Sequence, residues 1–206
     1  MIRDPKDLQR YNASERANHW VVGISFILLA LSGLAFFHPA FFPLTQLFGG
    51  PTWARIIHPY LGVLMAVSFL GLYIRFKHLN KMTPADKEWL AKAKNMVDGN
   101  DHDMPEQGKY NGGQKVMFWA LAVCMLLMTV SGLFIWRAWF GFDITLVRLG
   151  AVVHAAAGAV MIALIMVHVY AAIWVKGTIR AMWYGTVTRA WAKQHHRGWY
   201  RQITGK

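Results

Sequence analysis

The chain of 206 residues carries a single cysteine, Cys124. A lone thiol closes no internal disulfide and cannot ligate an iron–sulfur cluster, which takes several cysteines. Cys124 lies in an apolar run and reads as a small hydrophobe at a helix interface. Charge is also sparse, at 16% of residues, against about 25% in an average soluble domain. The shortage is concentrated in four runs, residues 20–37, 56–74, 116–136 and 149–175, which contain no Asp, Glu, Lys or Arg. Without carboxylates there, a ferritin-like di-iron site is excluded.

What remains is hydrophobic. Apolar residues make up 55% of the chain. Each uncharged run has 18 or more residues, near the roughly 20 that a spanning helix needs. The reading is an all-α membrane protein: one domain, 1–206, with four transmembrane helices in a bundle. The spans are placed at about residues 17–37, 54–76, 115–136 and 149–176, followed by a basic tail, 177–206. Residues 1–18 are polar and mixed in charge, and lack the basic, apolar and small-residue pattern of a signal peptide. The first span is therefore expected to be retained.

The net charge is +12, but its placement argues against nucleic acid. With the N-terminus cytoplasmic, 19 of the 22 Lys and Arg fall on the cytoplasmic side and only Arg55, Arg137 and Arg148 outside. This is the positive-inside bias. Both termini are then cytoplasmic, with an anionic lipid surface as the natural contact of the basic excess. The tail mixes Trp183, Trp191, Trp199 and Tyr200 with Arg189, Lys193, Arg197 and Arg201, a composition typical of interfacial helices. In the long inner connection, residues 84–94 read as a short helix with Thr83 as N-cap and Pro84 at its first position. Residues 98–108 are acidic and turn-rich. The connection ends in Gly108-Lys-Tyr-Asn-Gly-Gly-Gln-Lys115. No internal repeat stands out.

Four of the nine histidines belong to the spans. In hydrocarbon an imidazole is costly and marks a functional site. His154 and His168 share the fourth run; on a helix they lie about 21 Å apart and about 40° from one azimuth. The helices alternate in direction, so His154 and His58 share the outer level, and His168 and His19 the inner one. Zinc would need four ligands converging on one point; two separated pairs instead suit two iron porphyrins. Gly33, Gly62, Gly132 and Gly158 would let helices or a flat cofactor approach closely. His38, His78, His102, His195 and His196 read as solvated.

Taken together, Asn18-His19-Trp20, Arg55-Ile-Ile-His58-Pro59, Val153-His154-Ala-Ala-Ala-Gly158, His168-Val-Tyr-Ala-Ala-Ile-Trp-Val-Lys-Gly177 and the glycine-rich segment before span three resemble the cytochrome b (gamma) subunit of bacterial respiratory formate dehydrogenase. The resemblance covers nearly the whole chain. It implies two b-type haems, the outer on His58 and His154 and the inner on His19 and His168. It implies a quinone site, for menaquinone or ubiquinone, at Asn111, Gly113, Gln114 and His168. Asn and Gln offer donors and acceptors to quinone oxygens. The partners implied are an iron–sulfur beta subunit and, through it, a molybdenum or tungsten catalytic alpha subunit; formate oxidation happens on those chains. This chain would reduce quinone in anaerobic respiration, with proton uptake from the cytoplasm. The nearest alternative is a di-haem anchor of a hydrogenase or another periplasmic oxidoreductase. The number of copies in a higher oligomer is not set by the sequence.

Overall fold

A computed structural model describes residues 6–97 and 104–205, without the side chains of 96 and 97. The turn-rich stretch 98–103, with His102, lies outside the described residues. In chain order the elements are β1 (Leu8–Gln9), α1 (Ala13–Phe37), a 3-10 segment (Pro39–Phe48), α2 (Pro51–Phe76), a 3-10 turn (Lys77–Asn80), α3 (Pro84–Ala91), α4 (Ala93–Val97), α5 (Gly112–Ile135), α6 (Ile144–Trp174), α7 (Arg180–Tyr184), β2 (Thr186–Val187), α8 (Arg189–His195) and α9 (Arg197–Thr204). The fold is all-helical apart from one antiparallel pair, Leu8 opposite Val187 and Gln9 opposite Thr186. α1, α2, α5 and α6 are long and apolar enough to cross a membrane.

All four helices begin three to five residues before the expected spans, and in α1, α5 and α6 the N-terminus is set by a polar cap that precedes the apolar run. Asn12 and Glu15 cap α1 reciprocally: the Glu15 N–H donates to Asn12 Oδ1 (2.9 Å) and the Asn12 N–H to Glu15 Oε2 (2.8 Å). Asn111 and Gln114 repeat this arrangement at α5, at 2.9 and 3.1 Å. At α6 the Thr145 N–H donates to Asp143 Oδ1 at 2.7 Å. Such caps satisfy donors that a helix end otherwise leaves unpaired. α3 starts where expected: the Asp86 carboxylate accepts from the Thr83 N–H (2.7 Å) and hydroxyl (2.6 Å).

The chain forms two compact units. One comprises Ala17–Tyr73 and Leu121–Met166. Its core gathers Met65, Cys124, Met125 and Met161, packed by Phe26 and Phe69. Cys124 thus takes the hydrophobic role expected of it. Ile24, Ile27, Val67, Leu126, Val152 and Met166 turn outward and are mostly exposed, as helices solvated by lipid require. Water would not tolerate so much contiguous apolar surface.

The other unit comprises Met1–Arg16, Ile74–Ala120 and Val167–Lys206. Its core is made by the tail: Trp191, Ala192, Trp199 and Tyr200 bury with Ala181 and Val187, against Leu8 and Tyr11. These tail aromatics are inside a packed unit and do not lie on a lipid surface, contrary to expectation; Trp183 remains exposed. Pairing of β1 with β2 draws residues 187–200 onto the N-terminal segment. Gly185 makes the turn with φ +80°, and a Cβ there would meet the Tyr11 carbonyl oxygen at 2.5 Å.

Candidate haem and quinone sites

Between α1 and α2, and again between α5 and α6, a histidine meets a serine. His58 on α2 and His154 on α6 face one another, with ring centres 6.2 Å apart. Ser32 on α1 lies 2.7 Å from His58 Nδ1, and Ser131 on α5 lies 3.0 Å from His154 Nδ1. Each serine hydroxyl already donates to its own helix, Ser32 to the Leu28 carbonyl at 2.8 Å and Ser131 to the Leu127 carbonyl at 2.5 Å. In the tautomer with the proton on Nδ1, each serine oxygen accepts from the imidazole, and the Nε2 lone pair of both rings is left for a metal.

The residues present fit a bis-imidazole iron. A metal–imidazole bond is about 2 Å and a ring nitrogen lies about 1 Å from its ring centre, so two axial rings have centres about 6 Å apart. The observed spacing matches. Gly33 and Gly132 stand beside the rings: a Cβ at either would meet the Cε1 of His58 or His154 at 3.4 Å. These glycines follow the two serines directly, so each Ser-Gly pair lies against one imidazole.

Serines 32 and 131 were missed in the sequence, and the signal that finds them is a repeat that was also missed. Arg10-Tyr-Asn-x-x-Glu15 corresponds to Lys109-Tyr-Asn-x-x-Gln114, Trp20 to Trp119, and Ser32-Gly-Leu to Ser131-Gly-Leu. In the following helices His58 and Gly62 correspond to His154 and Gly158, and Met65 to Met161. Contacts obey the same correspondence. The Tyr11 hydroxyl donates to that of Tyr110 at 3.1 Å. The Arg10 guanidinium lies over Tyr110 and the Lys109 ammonium over Tyr11, at 5.8 and 4.9 Å. The chain is two related helical pairs. The outer histidines are equivalent in the repeat. The inner ones are not: His19 corresponds to Phe118 and His168 to Leu72.

This chain belongs to the prokaryotic cytochrome b561 family. The family's sequence pattern matches residues 10–185, the span that holds all four intramembrane histidines. The chain is 43% identical over 96% of its length to the nitrate-inducible cytochrome b556(Fdn) subunit of formate dehydrogenase of Escherichia coli K12, covering 92% of that protein. It is 45% identical over 94% of its length to the cytochrome b556(fdo) subunit of formate dehydrogenase of the same organism, again covering 92%. With the formate dehydrogenase cytochrome b556 subunit of Haemophilus influenzae the identity is 38% over 94% of the chain, covering 82% of that protein. The resemblance read from the motifs is borne out. The chain is a multi-pass membrane cytochrome b, and the family's haem b is the group that the paired imidazoles suit.

For this cytochrome b the remaining expected residues fall as follows. His19 lies on α1 in the unit that holds His58 and His154; His168 lies on α6 in the unit that holds Asn111, Gly113 and Gln114. The Asn111 and Gln114 side-chain oxygens each accept one bond in capping α5, and their amide nitrogens are left as donors to a ligand. Neither nitrogen has a hydrogen-bond partner among the described residues. Trp89 lies against Gly113, where a Cβ would meet it at 2.9 Å. His38 caps the 3-10 segment through Nδ1, which accepts from the Ala40 N–H at 3.1 Å. His78 is exposed and His195 half-buried. His196 overturns the solvated reading: it is buried to 1% exposure, with Nδ1 2.8 Å from the Gly108 carbonyl oxygen.

Proposed function

We propose that this chain is the membrane cytochrome b subunit of a formate dehydrogenase, passing electrons from a periplasmic iron–sulfur partner to quinone near the cytoplasmic side of the bacterial inner membrane. The observation that carries the reading is the facing pair His58 and His154, each with Nδ1 turned to a serine. His58 and His154 hold the outer haem b, and His19 and His168 the inner one. The haems, when bound, supply one-electron oxidation and reduction. Asn111 and Gln114 offer their amide N–H groups to the carbonyl oxygens of a menaquinone or ubiquinone, and Gly113 lets it approach the backbone. His168 completes that site. Reduction of quinone takes two protons, drawn from the cytoplasm, so the redox drop works against the membrane potential, at about 2.3 kcal/mol per charge per 100 mV. A catalytic molybdenum or tungsten subunit, reached through the iron–sulfur partner, oxidises formate. The identities with formate dehydrogenase subunits favour this donor over a hydrogenase.

The test is a reduced-minus-oxidised spectrum of the complex in membranes. Formate should produce a b-type signal. His58→Ala and His154→Ala should remove the same haem, and His19→Ala and His168→Ala the other. A complex without any b-type signal would end the proposal. Loss of different haems from the His58 and His154 variants would end the pairing.

A further inference from the structure

Three successive carbonyl groups before the proposed quinone loop are each held by a separate donor. The Trp199 N–H donates to the Gln107 carbonyl at 3.2 Å. His196 Nδ1–H donates to that of Gly108 at 2.8 Å. Arg10 Nη2 donates to that of Lys109 at 2.5 Å. Tyr110, the next residue, is tied to Tyr11 through their hydroxyls, and Asn111 then caps α5.

The donors are themselves fixed. The Arg10 guanidinium is sandwiched by Trp191 and Trp199, at 4.9 and 5.0 Å from their ring centres. Arg10 is 5% exposed. Its Nη1 has no hydrogen-bond partner among the described residues, so ring faces rather than a counter-ion receive the charge. His196 Nε2 is the acceptor left by the Gly108 bond and stands 3.4 Å from Arg10 Nη2. Gly198 packs on the same loop, where a Cβ would lie 3.0 Å from the Gln107 carbonyl oxygen. Nothing in this cluster is a haem ligand or a proposed quinone contact. Its chemistry is directed entirely at the backbone of 107–109.

Such a device has a physical use. Gly108 lies in this segment and Gly112 and Gly113 form the first turn of α5 that follows it, and glycines surrender more backbone entropy on ordering than any other residue. Amide donors to a quinone must hold position closely: a displacement of about 1 Å can cost on the order of 100-fold. We propose that Arg10 and His196 are positioning residues of the quinone loop, clamping the Gly108 and Lys109 carbonyls so that the Asn111 and Gln114 amides are preset for the ligand. This inference rests on the reading of residues 111–114 as the quinone site.

The test uses the intact complex in membranes, with formate as donor and menadione as soluble quinone. Arg10→Lys keeps the charge and loses the planar fork. It and His196→Ala should each raise the menadione KM about tenfold, with kcat changed less than threefold and the b-type absorbance retained. His196→Gln, whose amide can still donate to the Gly108 carbonyl, should recover most of the parental KM; a purely structural role for the imidazole predicts no such rescue. KM values within twofold of the parent for Arg10→Lys and His196→Ala overturn the clamp. If His196→Ala loses its haem, Arg10→Lys decides alone. Asn111→Ala separates the two readings. A raised KM there with unchanged Arg10 and His196 variants leaves the quinone loop standing and removes the clamp. An unchanged KM for Asn111→Ala removes the loop reading and the clamp with it.

Discussion

A ligating imidazole is only as well placed as its other nitrogen. At Ser32 and Ser131 the hydroxyl donates along its own helix and accepts from a histidine on the next one. Removing such a partner typically costs 10- to 100-fold in metal affinity. Ser32→Ala and Ser131→Ala should therefore each lower the outer haem content or shift its midpoint potential, leaving the inner haem alone. Redox titration of the membranes reads this; identical titrations of parent and both variants would refute it. His196 makes a pH-dependent contribution. Burial first, and then the Arg10 charge, push its pKa down from the usual 6.5 to about 3. The unfolded chain therefore binds this proton when the native unit does not, so the stability from neutral His196 is complete above about pH 6.5 and falls as pH drops toward 3. Each pH unit in that window is worth about 1.4 kcal/mol at most. His196→Gln should flatten the acid side of the unfolding profile between pH 6.5 and 5, followed by near-ultraviolet circular dichroism. Arg10 and half-buried His195 face this position in parent and variant alike. Equal slopes would mean that His196 is not the group responsible.

Among the elements, α3 and α5 are joined by a buried ion pair. Lys115 Nζ lies 2.6 Å from Asp86 Oδ2 and 3.1 Å from the Lys81 carbonyl oxygen. Burial alone would raise the Asp86 pKa; the bonds from Lys115 and Thr83 outweigh it and hold the carboxyl below its ordinary value. The first turn of α5 is fitted tightly to α3, since a Cβ at Gly112 would lie 2.6 Å from the Asp86 carbonyl oxygen. Removing one partner of a buried pair strands the other, at a cost of about 3–5 kcal/mol, whereas replacing both with apolar residues of similar volume can be neutral. Asp86→Ala should thus destabilise this unit strongly, and the double replacement Asp86→Leu with Lys115→Met should recover most of the loss in a denaturant titration. A double variant as unstable as the single one would show that packing of α3, not charge compensation, is what matters.

At the scale of the whole molecule, the proposed orientation rests on the Lys and Arg distribution. With 22 basic and 10 acidic residues, the bias is carried by Lys and Arg in the N-terminal segment, the connection between α2 and α5 and the tail, as the positive-inside rule reads it. Reporter fusions should place residues 1–18, the connection between α2 and α5 and the tail after α6 in the cytoplasm, and the connections around residues 38–50 and 136–143 outside. Phosphatase activity from a fusion after residue 205, active only in the periplasm, would reverse the orientation and exchange the levels of the two haems. The repeat bears on the same scale. His58 and His154, the proposed outer ligands, occupy equivalent positions in its two halves, whereas His19 and His168, the proposed inner ones, stand at positions that are histidine in one half only.

Much of this was legible one residue at a time. A run without charge longer than about 18 residues is a span by length alone, and an imidazole inside it is conspicuous because lipid offers it no partner. Hence the spans, the cytochrome b family and the histidines at issue could be read from composition, spacing and motif. The helix starts were read late because caps such as Asn12–Glu15 and Asn111–Gln114 are polar and lie outside the apolar runs. Ser32 and Ser131 carried no signal of their own, since serine is ordinary in a membrane helix; only contact across helices shows what their oxygens accept. His196 read as solvated because its neighbours in sequence are basic, yet its neighbours in space are Arg10, Trp191 and the Gly108 carbonyl, all brought to it by the β1–β2 pairing. Hydrophobicity and charge act on a segment by itself and are written in its residues; hydrogen-bond partners drawn from segments some 90 to 190 positions away exist only once the chain has folded.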